Sequence, residues 1–223
     1  MTYSICATHD GHHGVAIATK APAVGSLAPF LSPNGVISTQ SLVSVPLGVK
    51  AARLMNEGAS VDAAVDTLVA KDDDAAVRQV HGVDRWGNTV AFSGGDCVDW
   101  YGDIERDGFT VAGNMLVGRE VLEAMASTYE GTDPADTLPE RLLEALRAGE
   151  EAGGDKRADN AQSAALKIYR PVDPALQDDL RIDDHDDPVS ELERIYEVAK
   201  TDNEEWQTEF PEAVLQRTPD STH

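Results

Sequence analysis

The sequence predicts an α+β fold in which two antiparallel sheets stack face to face and helical pairs cover their outer sides. Three observations predict it. The hydrophobic period is two at the start of the chain, then helical, then two again through the middle, then helical, before one last strand. Strands and helices therefore come in runs, which suits a layered sandwich and disfavours a doubly wound parallel sheet, where they alternate singly. Finally, 223 residues with 41% apolar side chains can bury one sizeable core, or one core and a small appendage.

Thr2 to Thr8 and His13 to Lys20 read as strands, joined through His9-Asp10-Gly11-His12 as a β-hairpin. A Pro- and Gly-punctuated loop follows from Ala21 to Asn34, then a short strand over Gly35–Gln40. Helices are predicted over Leu47–Asn56, stopped by Gly58, and over Val61–Ala70, with Ser60 as N-cap. A β meander is expected at Arg78–Asp84, Asn88–Ser93, Val98–Ile104 and Phe109–Asn114, with a turn at Trp86-Gly87-Asn88. Two further helices cover Arg119–Tyr129 and Leu138–Glu151, the latter ended by Gly153-Gly154, and Ser163–Tyr169 is the last strand. The expected organisation is a domain over residues 1–170 and an acidic C-terminal appendage over 171–223. That appendage carries one amphipathic helix, Val189–Lys200, with Trp206 and Phe210 as possible anchors and a disordered end beyond Gln216.

Charge is the strongest compositional signal. Forty acidic against eighteen basic residues give a formal net charge of −22, and only six of the basic residues are Lys. Such a self-repelling surface is relieved by salt, and with scarce Lys it points to a halophilic protein. The same field opposes binding to nucleic acid or anionic lipid. No apolar run reaches membrane-spanning length and no signal-peptide pattern opens the chain, so a soluble, cytoplasmic protein is expected. Cys6 and Cys97 lie far apart without CxxC spacing, which points to buried free thiols.

Phosphate-binding, dinucleotide-binding, zinc-protease and serine-hydrolase motifs are absent, and neither a cofactor nor a metal is expected. His9, His12 and His13 cluster in a turn, where their spacing does not force convergence on a metal. His185 lies in an acidic stretch that reads as a solvated linker. The start of the chain offers chemistry. Removal of Met1 would expose Thr2 with a free α-amine, whose ordinary pKa of roughly 7.7–8.0 leaves a useful unprotonated fraction near neutrality. That amine can accept the Thr2 hydroxyl proton, so one residue supplies nucleophile and base. Lys20, closing the second strand, can approach and lower the amine pKa by like-charge repulsion, or stand solvated at a strand end. Ser4 and Cys6 alternate with Thr2 and can share its face.

Five blocks carry a resemblance: Thr2–Phe30, Gly35–Gln40, Gly82–Cys97, Phe109–Gly118 and Gly153–Leu166. In this order they resemble the family catalogued as domain of unknown function 1028, over about residues 1–170, in a haloarchaeal-type member. That family resembles the N-terminal-nucleophile (Ntn) hydrolases, which implies a four-layer αββα sandwich. The resemblance places Thr2 at the nucleophile position and Lys20 at the end of the second strand. It also aligns Ala23–Ser26, Gly113–Leu116, Gly153, Gly154, Asp155, Arg157 and Gln162–Leu166. Ala21-Pro22, and an insert at Ala158–Ala161, depart from the family pattern.

Roles follow as expectations. The Asn114 amide can donate to a developing oxyanion together with the Gly25 or Ser26 backbone N–H, or it can cap the next helix or hold a turn. Asp155 and Arg157 can form a buried pair that orients Lys20 or a substrate carboxylate, or a surface pair. Gln40 and Ser163 sit at strand boundaries, where polar residues line clefts or complete backbone hydrogen bonds. The function expected is an amidohydrolase acting through Thr2 on a small-molecule or peptide amide, in a homo-oligomer. The alternative is a non-catalytic binding or self-assembling protein of the same fold.

Overall fold

Asp10 and Gly11 both have positive φ, 49° and 77°, as a two-residue type I′ turn requires. They close a hairpin of β1 (Thr2–His9) and β2 (His12–Thr19), registered from His9↔His12 to Thr2↔Thr19. In the computed structural model, residues 2–154, 157, 160–171 and 175–209 are described. The next elements are β3 (Pro29–Ser32), β4 (Gly35–Ser41), α1 (Val45–Asn56), α2 (Val61–Val69), β5 (Arg78–Asp84) and β6 (Thr89–Ser93). After them come β7 (Gly102–Arg106), β8 (Phe109–Asn114), α3 (Glu120–Gly131), α4 (Leu138–Glu151), β9 (Ser163–Tyr169), β10 (Asp179–Ile182) and α5 (Pro188–Glu209).

One sheet has the order β10-β9-β2-β1-β8-β7 and the other β3-β4-β5-β6, with every pairing antiparallel. The larger sheet turns Tyr3, Ile5, Ala16, Val111 and Leu166 onto α3, α4 and α5, in one core with Leu122, Met125, Leu142, Leu146 and Leu192. The smaller sheet turns Ile37 and Val80 onto α1 and α2 through Leu47, Ala51, Met55 and Val65. The inner faces meet through Cys6, Val15, Ile17, Val36, Val83 and Ala165. This is a four-layer αββα sandwich. Helix α4 seats closely on β2 because Gly14 has no side chain. A Cβ there would stand 3.2 Å from Leu142 Cδ1 of α4, and closer still to the neighbouring β9, 2.4 Å from Ile168 Cδ1 and 2.8 Å from the Lys167 carbonyl.

Four local expectations are corrected. The loop over residues 21–34 contains the four-residue strand β3, too short for a legible period, which pairs along β4 from Pro29↔Ser38 to Ser32↔Gly35. The strand expected at Val98–Ile104 begins at Gly102 instead. The preceding segment uses its Val98 and Trp100 carbonyls to accept from Met115 and Leu116 N–H. Ser60 occupies the N-cap of α2 but its side chain accepts no bond there, and the buried Asp84 carboxylate takes the Val61 N–H at 3.4 Å. A tertiary acceptor has replaced the local cap. Helix α5 runs to Glu209, past the expected end at Lys200, and Trp206 on it is 54% exposed rather than anchoring.

Val189, Leu192 and Tyr196 of α5 join the larger core, and β10 adds an edge strand beside β9. Phe210 and the end beyond Gln216 lie outside the described residues. No helix among the described residues is long and apolar enough to cross a membrane.

Candidate active site between the sheets

Period-two alternation puts Thr2, Ser4 and Cys6 on the inner face of β1, while Tyr3, Ile5 and Ala7 face the helices. Thr2 is 7% exposed and sits at the sandwich end, paired across β2 with Thr19 and across β8 with Asn114. Thr19 in turn pairs with Ser163 of β9, so one row across the inner face reads Ser163, Thr19, Thr2, Asn114. Directly opposite residues of antiparallel strands are side-chain neighbours. The hydroxyls of Thr2 and Thr19 are 3.1 Å apart.

Three of the expected site residues, Thr2, Asn114 and Ser163, thus share this row. Asn114 does not cap the following helix, whose N-cap is Arg119. Its Nδ2 donates instead to Gln79 Oε1 at 3.0 Å. Ser163 completes backbone bonds, accepting from Val24 N–H at 3.1 Å and donating to the Ala21 carbonyl at 2.6 Å. Gln40 lies on the facing sheet, buried, and donates from Nε2 to Gln79 Oε1 at 2.9 Å. Ser26 is exposed, and both its Oγ and its N–H donate to the Ala23 carbonyl within its own turn. Lys20 is exposed at the bend after β2, next to Thr19. Arg157 is on the surface, and Asp155 lies outside the described residues.

Residues not singled out from the sequence complete the site. Gln79 and His81, both fully buried, project from β5 towards β1 and β8. His81 Nε2 lies 2.6 Å from Ser4 Oγ and its Nδ1 lies 2.8 Å from Thr110 Oγ1. Ser4 Oγ also donates to Gln40 Oε1 at 2.7 Å. Burial pushes the His81 pKa down to about 3, so the ring is neutral. Burial pushes the Cys6 thiol upward, away from the thiolate a nucleophile needs. Thr19 had a readable signal: a two-residue turn at Asp10-Gly11 places it opposite Thr2. For Gln79 and His81 there was none, because polar alternation in a strand looks like a solvated face.

The histidine cluster does not converge. His13 is buried, stacked on Tyr169 with ring centroids 4.8 Å apart, and its Nε2 is 2.6 Å from the Ser32 carbonyl. His185 Nδ1 accepts from Asp187 N–H. Among the described residues no group of three His, Cys, Asp or Glu comes together to hold a metal.

A family model described as "Family of unknown function (DUF1028)" matches residues 2–192, further than the resemblance read from the sequence. A crystal structure of a DUF1028 protein from Silicibacter pomeroyi is 33% identical over 92% of each chain, with a TM-score of 0.83. Two remoter structures are Anbu (ancestral beta-subunit) from Yersinia bercovieri and BPH from Thiobacillus denitrificans. Anbu is 11% identical over 90% of this chain and 95% of that one; the BPH is 12% identical over 75% and 97%. Both have a TM-score of 0.42, too low to inform the chemistry. No curated protein matches the chain. The family match begins at Thr2 and runs through β1, β2, β5 and β8, the strands that build the site: the chain belongs to the DUF1028 family.

Proposed function

We propose that the protein is an N-terminal-nucleophile amidohydrolase, acting on an amide or peptide through Thr2 once Met1 has been removed. One observation carries this reading. Thr2 is the first residue of a central strand, at the end of the inter-sheet layer, with its hydroxyl against Thr19 and the Asn114 amide in the adjacent register position. With a free α-amine, Thr2 Oγ attacks the amide carbonyl carbon while the amine takes the hydroxyl proton. The Asn114 amide stabilises the developing oxyanion. The amine then returns the proton to the leaving nitrogen, and water hydrolyses the acyl ester. Lys20, one residue beyond Thr19, acts on the amine by its charge; its replacement by Ala would then raise the pKa of the rate.

The test has two steps. Mass spectrometry of protein prepared in concentrated salt should find Thr2 at the N-terminus, and a chain that wholly retains Met1 refutes the mechanism. A β-lactone, whose ring opens to leave an acyl ester on Oγ and a protonated hydroxyl, should label the wild type but not Thr2→Ala.

A second reading, the same fold without chemistry, is favoured by a specific observation. One N–H of Asn114 is already engaged on Gln79, and the Ser163 hydroxyl on the Ala21 carbonyl. An N-terminal Thr2 that resists every electrophile would decide for it. The salt-adapted character of the protein is proposed on its net charge of −22.

A further inference from the structure

The buried groups between the sheets form a chain whose donor and acceptor roles are all dictated from one end. Gln79 Nε2 lies 3.1 Å from the Gly102 carbonyl and 3.0 Å from the Gly113 carbonyl. Carbonyl oxygens only accept, so the amide nitrogen of Gln79 must face them. The same nitrogen lies 2.9 Å from Ser93 Oγ, so its two hydrogens are shared among three acceptors, and Ser93 spends its own hydrogen on Asp103 Oδ1 at 2.7 Å. Gln79 Oε1 therefore points the opposite way and can only accept. Its two neighbours there, Gln40 Nε2 and Asn114 Nδ2, must both be donors.

The constraint passes on. With its nitrogen on Gln79, Gln40 turns Oε1 to Ser4, which must donate its one hydrogen to it. Ser4 Oγ can then only accept from His81, so the ring proton sits on Nε2 and Nδ1 accepts from the Thr110 hydroxyl. Ser4, Gln40, Gln79, His81, Thr110 and Asn114 are all buried, and each has a partner in the chain without an ionised imidazole.

We propose that Gln79 is a positioning residue: it sets the orientation of the Asn114 carboxamide beside Thr2 and, through Gln40 and Ser4, the tautomer of His81. One N–H of Asn114 is held by Gln79, which fixes the plane of the amide and the direction of its second N–H. A side chain at this place without a carboxamide would let Asn114 and Gln40 turn over. The catalytic consequence rests on the Thr2 reading; the orientation does not.

Nitrogen NMR of ring-labelled histidine tests the orientation in the unaltered protein. His81 should be a neutral Nε2–H tautomer, and an Nδ1–H tautomer overturns the proposal. In Gln79→Met, which keeps length and apolar volume, the single tautomer should give way to a mixture. An unchanged tautomer there overturns it. For the site itself, Gln79→Met should slow β-lactone acylation of Thr2 by about 10- to 100-fold, the scale of a misdirected oxyanion donor. Asn114→Ala should slow it similarly, and the double variant should be no slower than either alone. Full additivity overturns the positioning role, whereas a merely structural defect would add to any other. If wild-type Thr2 is never labelled, the hydrolase reading fails, and the tautomer measurement still decides for or against Gln79.

Discussion

The layers under the helices and the layer between the sheets are packed from different chemistry. Beneath α3, α4 and α5 the interface is aliphatic and aromatic, with Tyr3, Leu122, Met125, Leu142 and Leu146 all fully buried. Between the sheets, half of the layer is equally apolar, around Cys6, Val15, Ile17, Val36 and Val83. The other half, at the strands β1, β4, β5 and β8, is built from Ser4, Ser38, Gln40, Gln79, His81, Thr110 and Asn114. Apolar packing is tolerant of small shifts and stabilises in proportion to area. A buried polar network gains little net stability but is costly to leave incomplete, so it specifies one arrangement. The contrast separates a part of the molecule that supplies stability from a part that supplies precision, and the latter abuts Thr2.

Substitutions can break that contrast. Leu142→Ala, in the helix-covered layer, should lose the most, about 2–5 kcal/mol by chemical denaturation, through lost burial and the cavity left behind. A value near zero would mean that this layer is not close-packed. A pH series addresses the polar layer next. The folded His81 titrates at about 3, below its ordinary 6.5. As pH falls below 6.5 the unfolded chain takes up this proton and the folded chain does not, so stability from this site is full above 6.5 and falls towards pH 3. The effect should reach a few kcal/mol. His81→Asn should accordingly lag wild type at pH 7 and close the gap at pH 4, and a pH-independent gap refutes the assignment.

Ser4→Ala deprives both Gln40 Oε1 and His81 Nε2 of a partner without changing volume much, and should cost about 1–3 kcal/mol. Ser38→Ala sharpens the comparison at its lower end. Its bond to Gln40 Oε1 is long, 3.4 Å, and Gln40 keeps Ser4, so thermal unfolding should register about 0.5 kcal/mol or less. A loss as large as that of Ser4→Ala would show the network to be more tightly coupled than its distances imply.

Much of the layered order was legible from period alone. Strands β5, β8 and β9 and helix α4 fall where the sequence predicts them, because each has a clean period bounded by a Gly, Pro or polar turn. The strands β3 and β10, four residues each, carry too little period to read and exist because a longer neighbour offers an edge. Of the candidate site, Thr2 was singled out by the amine that Met1 removal would free and Asn114 by the aligned block Gly113–Leu116, and their adjacency came from the sheet order. Gln79 and His81 were not. In β5 all seven residues are buried, so the rule that polar alternation marks a wetted face fails there.

By itself, then, the sequence determined what local physics controls: the hairpin, through the positive φ of Asp10 and Gly11; the helices, through their apolar stripes; and the acidic field, through the net charge. Tertiary structure decided which faces meet. Only when β5 is stacked across β1 and β8 do two backbone carbonyls, Gly102 and Gly113, turn one glutamine and thereby orient every polar group behind it. Hydrogen-bond direction is a property of the assembled pair of sheets, and no period along a single strand encodes it.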